Sequence, residues 1–316
     1  MTVSMRRTPP SFRVKVRVPA SSANLGPGFD VVGLALTLYN EMELVGWADP
    51  CLPALTIRIE GEGADRLPLN GRNLVYQSVL KIFKRLKRTV PPLEIRLKNR
   101  IFLARGLGSS SSAIVGGLVA ANAATGNRFS QDDILRMAVE EEGHPDNVTP
   151  ALLGGLRVAF GRGDRLRVLE VPVDSIHPHV VVCVPDFELS TDRARRLLPV
   201  KVPFRDAVFN LSRVSGFLLA LQQGRWDLVA DAMEDRLHQP YRDRLVPGLS
   251  QVLVSAKKAG ALGAALSGAG PSVMAFARGG QTRRVGAAMV RAFARRGVRS
   301  CFMDLKIDRR GTQVLG

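Results

Sequence analysis

The sequence predicts an α+β protein of two domains, and three observations carry that prediction. Short runs alternate apolar with charged residues, longer runs repeat apolar residues at helical spacing, and the two kinds of element occur in groups instead of strict βαβ alternation. The chain, 316 residues with 46% hydrophobic and 23% charged, is long enough to bury two cores.

Phe12, Val14, Val16 and Val18 alternate with Arg13, Lys15 and Arg17, which is the period of a half-buried strand, and residues 55–59 and 93–97 repeat it. Between these strands Val75, Val79, Ile82, Phe83 and Leu86 recur at helical spacing. Lys81, Lys84, Arg85, Lys87 and Arg88 fill the other side, so this basic run reads as a solvated helix face. An apolar helix follows from Ser110 to Ala124 and ends at Gly126; Ser130 with Asp133 has the form of a capping box opening the next helix.

After a turn at Gly161 to Asp164 the pattern restarts. It predicts a strand at Val180 to Val184, helices around 206–221, 226–237 and 248–259, and a glycine-rich turn. A strand at Ser272 to Ala277, a helix at 283–296 and a last strand at 301–307 complete it. The boundary is expected near residue 165, giving domains of 12–165 and 166–316.

Composition excludes several classes. No stretch of about 18 apolar residues predicts a membrane span. Residues 1–11 carry Arg6 and Arg7 but lead into prolines, which argues against a secretory signal and predicts a short disordered tail. Cys51, Cys183 and Cys301 stand far apart without metal-ligand spacing, so neither a disulfide framework nor a zinc site is expected, and a reducing cytoplasm is the expected compartment. A net charge of +17 is the footprint of nucleic-acid binding, yet the basic residues are spread over 81–105, 193–205 and 283–310 with only 6% aromatics for stacking. A positive field attracting an anionic nucleotide is the milder reading.

The segment Leu103 to Ala113, LARGLGSSSSA, sets two glycines and four serines ahead of the apolar helix. Gly106 and Gly108 can take φ > 0, and the helix start would turn unpaired N–H groups toward an anion. The serine hydroxyls add donors and a ligand for magnesium. A glycine turn with a serine-capped helix behind it accounts for the same letters. The Walker pattern is absent, because no Gly-Lys pair occurs, and Ser111 stands where GxGxxG needs its third glycine.

Three further segments bear on the choice. PASSANLGPGFD at 19–30 follows the first strand and can place Asn24 and Asp30 in a cleft, or use Asp30 as a cap. EGHPDNVTP at 142–150 compresses an acid, a histidine and an Asp-Asn pair into one loop, and LSGAGPSV at 266–273 is a small-residue turn permitting close backbone approach.

Together and in this order, PASSANLGPGFD, GLGSSSSA, EGHPDNV and LSGAGPSV resemble the GHMP kinases, and the first and third look like the homoserine kinase branch. LSTDRARRLLP at 189–199 and LHQPYRDRLVP at 237–247 resemble the same branch. The resemblance spans about residues 14–305. It implies a GHMP kinase architecture, with a ribosomal-protein-like N-terminal α+β domain and a ferredoxin-like C-terminal α+β domain. The implied reaction moves the γ-phosphoryl group of ATP to the side-chain hydroxyl of L-homoserine, giving O-phospho-L-homoserine for threonine biosynthesis. A mevalonate-type kinase of the same family, and a basic nucleic-acid-binding module, are the alternatives.

Residue by residue, the resemblance assigns ATP to Phe102, Leu103, Ala104, Arg105, Gly106, Leu107, Gly108, Ser109, Ser110, Ser111 and Ser112, and Mg2+ to Ser110 and Glu142. The amino-acid substrate is assigned to Asn24, Asp30, Asn147, Arg195 and Arg242: an acid for the ammonium and two arginine forks for the carboxylate. Asn147 would stand near the reacting hydroxyl. Asp146 matches the catalytic aspartate of mevalonate-type relatives, whereas the homoserine branch implies no dedicated base. Phe102 stands where the family usually has proline, and Ser112 where alanine is common. A homodimer is left open by the sequence.

Overall fold

The computed structural model describes residues 9–173 and 178–315, so residues 1–8 of the expected tail lie outside the described residues. The first half contains β1 (Phe12–Ala23), β2 (Val32–Gly46), β3 (Leu55–Gly61), α1 (Leu74–Arg85), β4 (Leu93–Asn99), α2 (Ser109–Ala124), α3 (Gln131–Glu142), α4 (Pro145–Leu153), β5 (Leu156–Phe160) and β6 (Arg167–Val171). The second contains β7 (His179–Pro185), α5 (Thr191–Arg196), α6 (Phe204–Gln222), α7 (Val229–Ala232), α8 (Gln239–Arg242) and α9 (Leu249–Lys258). It closes with β8 (Gly263–Leu266), β9 (Val273–Ala277), α10 (Thr282–Ala294), β10 (Ser300–Leu305) and β11 (Gln313–Leu315). Strands and helices lie in segregated groups, the α+β class that the sequence predicts.

The first sheet runs β11-β1-β2-β4-β3, with β5 pairing to the start of β2 and β6 to β5. Only β3 and β4 are parallel among its pairs. One face packs against α1 to α4 through Val16, Val18, Leu44, Ile95, Val79, Ile82, Ile114 and Leu118. The other carries charges that pair across strands, as Arg13 and Arg96 do with Glu43 at 2.8 and 3.0 Å, and this two-sided environment produces the alternation read from the sequence. α2 is apolar around most of its circumference because α1, α3, α4 and β1 surround it.

The second sheet is antiparallel in the order β10-β7-β9-β8, with α9 and α10 in chain positions of a ferredoxin-like unit. β7 is buried on both sides: Val181 and Cys183 join Val252, Val285 and Phe293, while Val180, Val182 and Val184 join Phe217, Trp226 and Phe276. The latter core also takes Ala20, Leu34 and Leu36 from β1 and β2, so it fastens the two halves together. β6 and β11, both beyond residue 165, belong to the first sheet.

A helix over 226–237 does not form; α7 covers only Val229–Ala232. The carboxylate of Asp235 explains the stop. It accepts from the backbone N–H groups of Leu237, His238 and Gln239 and from Asn210 Nδ2, so the chain turns around it. Among the described residues no helix is long and apolar enough to cross a membrane.

Candidate active site

A cleft of about 410 Å³ lies where the two halves meet. Its floor is the loop before α2. Ala104, Gly106 and Gly108 all have positive φ, and Gly108 is the N-cap of α2 with no side-chain cap. The first-turn N–H groups of a 16-residue helix therefore face the cleft without a capping oxygen. The serines do not cap: Ser110 and Ser111 donate to Glu142 Oε1 at 2.8 and 2.7 Å, and Ser112 donates to the Ser109 carbonyl while accepting from Asn40.

The glycines are required by packing. A Cβ on Gly106 would stand 2.1 Å from the Ser267 carbonyl, and one on Gly108 would stand 2.0 Å from Ser21 Oγ. The small-residue turn is thus pressed against the serine loop, where Ser267 Oγ donates to the Gly106 carbonyl at 2.6 Å. Ser21 joins the first and third segments by donating to Asn147 Oδ1 at 2.9 Å.

At the other end stand the charges. Arg195, on α5, donates through Nη1 and Nη2 to the two oxygens of Asp30 at 2.9 and 2.6 Å, a bidentate pair that raises the guanidinium pKa through that hydrogen bond. Asn24 orders this loop: Nδ2 donates to the Gly268 carbonyl at 2.9 Å and Oδ1 accepts from the Asp30 N–H at 3.0 Å. Arg242 is 1% exposed and donates Nη1 to the same Gly268 carbonyl at 3.0 Å. Burial, with the charge of Arg195 next, pushes its pKa down to about 10. Phe29 lies under both guanidinium groups, 5.5 Å from that of Arg195 and 5.3 Å from that of Arg242.

The domain models of the GHMP kinases match residues 73–155 and 217–296, as the N-terminal and C-terminal domain respectively. A homoserine kinase of Carboxydothermus hydrogenoformans is 49% identical over 94% of this chain and 95% of its own, and one of Moorella thermoacetica is 44% identical over 95% and 99%. The chain belongs to the GHMP kinase family, in its homoserine kinase branch. The crystal structure of a homoserine kinase from Cytophaga hutchinsonii has a TM-score of 0.86 at 30% identity, covering 100% of this chain and 99% of that one. A mevalonate kinase with a TM-score of 0.71 and 14% identity shares the fold, covering 94% of this chain and 99% of its own.

In this GHMP kinase the cleft gathers Asn24, Asp30, Glu142, Asp146, Asn147, Arg195 and Arg242, with Leu103 to Ser110 and Ser112. Phe102 and Ser111 do not line it. Phe102 packs toward the core between the halves, and Ser111 is wholly buried against Glu142. Arg105 reaches the cleft but turns its head toward the second half, donating to the Pro185 carbonyl at 2.8 Å.

His144, which its place before a proline marks in sequence as a turn residue sooner than a base, lines the cleft. Its Nδ1 stands 2.6 Å from Asp146 Oδ1. Burial alone would lower its pKa, but the hydrogen bond and charge of Asp146, with the charge of Glu142, raise it on balance. An apolar end of the cleft sets Leu67, Pro68, Leu74, Val75 and Leu97, which lie outside the motifs, beside Leu103 of the serine loop. Its residues come from loops and elements that look like ordinary core in sequence.

Proposed function

We propose that this protein is a homoserine kinase, transferring the γ-phosphoryl group of ATP to the side-chain hydroxyl of L-homoserine to give O-phospho-L-homoserine for threonine biosynthesis in the cytoplasm. The observation that carries the substrate is the Asp30–Arg195 pair with Arg242 beside it, at one end of a cleft whose floor is an uncapped helix start. Arg195 uses two of the roughly four lone-pair sites on the Asp30 carboxylate, so an ammonium group can be accepted as well. Donors remaining on Arg195 and Arg242 suit the carboxylate of the same zwitterion. A mevalonate has no ammonium to satisfy Asp30.

Phosphoryl transfer depends mainly on positioning and on neutralising the moving charge. The backbone from Leu103 to Ser112 cradles the triphosphate, α2 directs its N–H groups at it, and the apolar end receives the base. Ser110 and Glu142 would hold Mg2+, which neutralises phosphate charge when bound. A hydroxyl and one carboxylate, already 2.8 Å apart, fit an ion that keeps waters and phosphate oxygens as its other ligands. Asn147 has its Oδ1 taken by Ser21, leaving its amide N–H to orient the reacting hydroxyl. Asp146 orients His144, and the hydroxyl proton passes to the phosphoryl oxygens. Residues 12–165 then form the ATP-binding unit, its sheet completed by β6 and β11 from beyond residue 165, and 166–316 the unit that brings the two arginines.

A coupled ADP-release assay on homoserine, threonine, mevalonate and pantoate tests this reading. Stimulation by homoserine above the others is expected; none by homoserine would refute it.

We also propose a homodimer through α6, whose exposed face carries Phe204, Val208, Leu211 and Leu219. About a two-fold axis between residues 211 and 212 of antiparallel copies, Phe204 would face Leu219 and the two Leu211 side chains would flank the axis. Sedimentation velocity should give a dimer that Leu211→Arg converts to monomer; a monomeric unaltered chain overturns it.

A further inference from the structure

The LHQPYR run contains a histidine to which the proposed reaction gives no task. His238 is wholly buried, and its Nε2 lies 2.7 Å from the Gly26 carbonyl, an acceptor only, so Nε2 carries the proton and donates. Nδ1 is then a lone pair, and it accepts from Arg242 Nη1 at 3.2 Å. The imidazole bridges the Asn24 to Asp30 loop of the first half and the buried arginine of the second.

Its surroundings hold it in that orientation. The Asp235 carboxylate accepts from the N–H groups of His238 and Gln239 at 3.0 and 2.7 Å, fixing the start of α8. The Phe29 ring stacks at a tilt on the imidazole with centroids 5.2 Å apart. Asp235, Arg242 and Asp30 are the charged groups facing the ring. Burial outweighs the acids and keeps it neutral by lowering its pKa. Arg242 depends on this bridge: among the described residues Nη1 makes both of its hydrogen bonds, to His238 and Gly268, and Nε has no partner.

We propose that His238 is a positioning residue for the amino-acid substrate: as the neutral Nε2–H tautomer it anchors Arg242 to the Asp30 loop and keeps the guanidinium turned into the cleft. The proposal rests on the reading of Arg242 as a substrate-carboxylate ligand. A side chain at 238 that cannot accept would leave a dry cation with one acceptor fewer, and the guanidinium would turn to find another.

His238→Phe keeps the bulk and removes both nitrogens, whereas His238→Gln retains one donor and one acceptor. The expected result is a homoserine KM raised roughly 10- to 100-fold in H238F, with kcat and the ATP KM little changed, and most of the loss recovered in H238Q. An unchanged homoserine KM in H238F, or equal rises for both substrates, overturns the proposal. Nitrogen NMR of the unaltered protein decides it even where H238F does not fold: the neutral Nε2–H tautomer supports it, and an Nδ1–H tautomer or an imidazolium at pH 7 overturns it. Absence of homoserine turnover in the unaltered protein would refute the kinase reading by itself, and the tautomer measurement would still decide the bridge.

Discussion

Replacing Arg195 by alanine separates substrate recognition from everything else the cleft does. The side chain makes two hydrogen bonds to Asp30, at 2.9 and 2.6 Å, and both partners are about one-third exposed, at 34% and 32%. A pair this open to water contributes about 0.2–1 kcal/mol to folding, so the melting temperature should fall by no more than a few degrees. The loss in binding is larger. A charged hydrogen bond to the substrate carboxylate is worth about 1.5–3 kcal/mol, which converts to a homoserine KM raised roughly 10- to 150-fold. The ATP KM should be nearly unchanged, because Arg195 makes its hydrogen bonds to Asp30 and none to the loop before α2, where the proposed reading sets the phosphates. Coupled ADP release with each substrate varied in turn measures both constants. Arg195→Lys, which keeps the charge and loses the fork, should fall between. An ATP KM that rises as far as the homoserine KM, or a homoserine KM that does not move, would refute the assignment.

Gly108→Ala forces an L side chain into φ 69° with its Cβ 2.0 Å from Ser21 Oγ. It should destabilise by more than about 1 kcal/mol and raise the ATP KM, readable by thermal unfolding and ATP titration. The His144–Asp146 contact predicts a pH dependence. Because the folded pKa of His144 is raised above 6.5, its stabilisation is fully present below 6.5 and is lost as pH rises through the folded value. The stability difference between the unaltered protein and His144→Gln should therefore be larger at pH 5.5 than at pH 8.5, and a difference that grows with pH would contradict the pairing.

What the sequence disclosed follows from which elements have one face in water. β1, β3 and β4 alternate visibly because Arg13, Arg58, Glu94 and Arg96, joined by Glu43 of β2, form a charged surface opposite the core. β2 has no such period: Val32 to Leu36 are buried without interruption between the two halves, Thr37 to Glu41 are half-buried, and Met42 to Gly46 are buried again. α4 was hidden because EGHPDN looks like a loop, although Pro145 at its first turn is a start signal. The reverse difference at 226–237 comes from a carboxylate, Asp235, whose four partners lie in the turn, on α6 and at the start of α8. Within the cleft the motifs located most of the polar lining but not its internal bonds. Ser21 with Asn147, and His238 with Gly26, join residues 126 and 212 positions apart, beyond any local pattern.

The serine-rich loop had two readings, an anion cradle or a glycine turn with a serine-capped helix, and the hydrogen bonds decide against the second. The cap position is Gly108, which has no side chain to offer, and the serines that could have capped are turned to Glu142 and to the Ser109 carbonyl. The glycines admit other parts of the protein before they admit any ligand: the Ser267 carbonyl at Gly106 and the Ser21 hydroxyl at Gly108 occupy the space a Cβ would take. Those contacts come from β1 and from the turn between β8 and β9, so the loop is held from both halves of the chain. A helix start that is uncapped, fixed on both sides and open to a cleft has orphan donors whose direction is already set, and no reorganisation is needed when an anion arrives. On the proposed reading packing and phosphate recognition make one demand on these residues, which is why alanine at Gly108 should weaken the fold and the ATP site together.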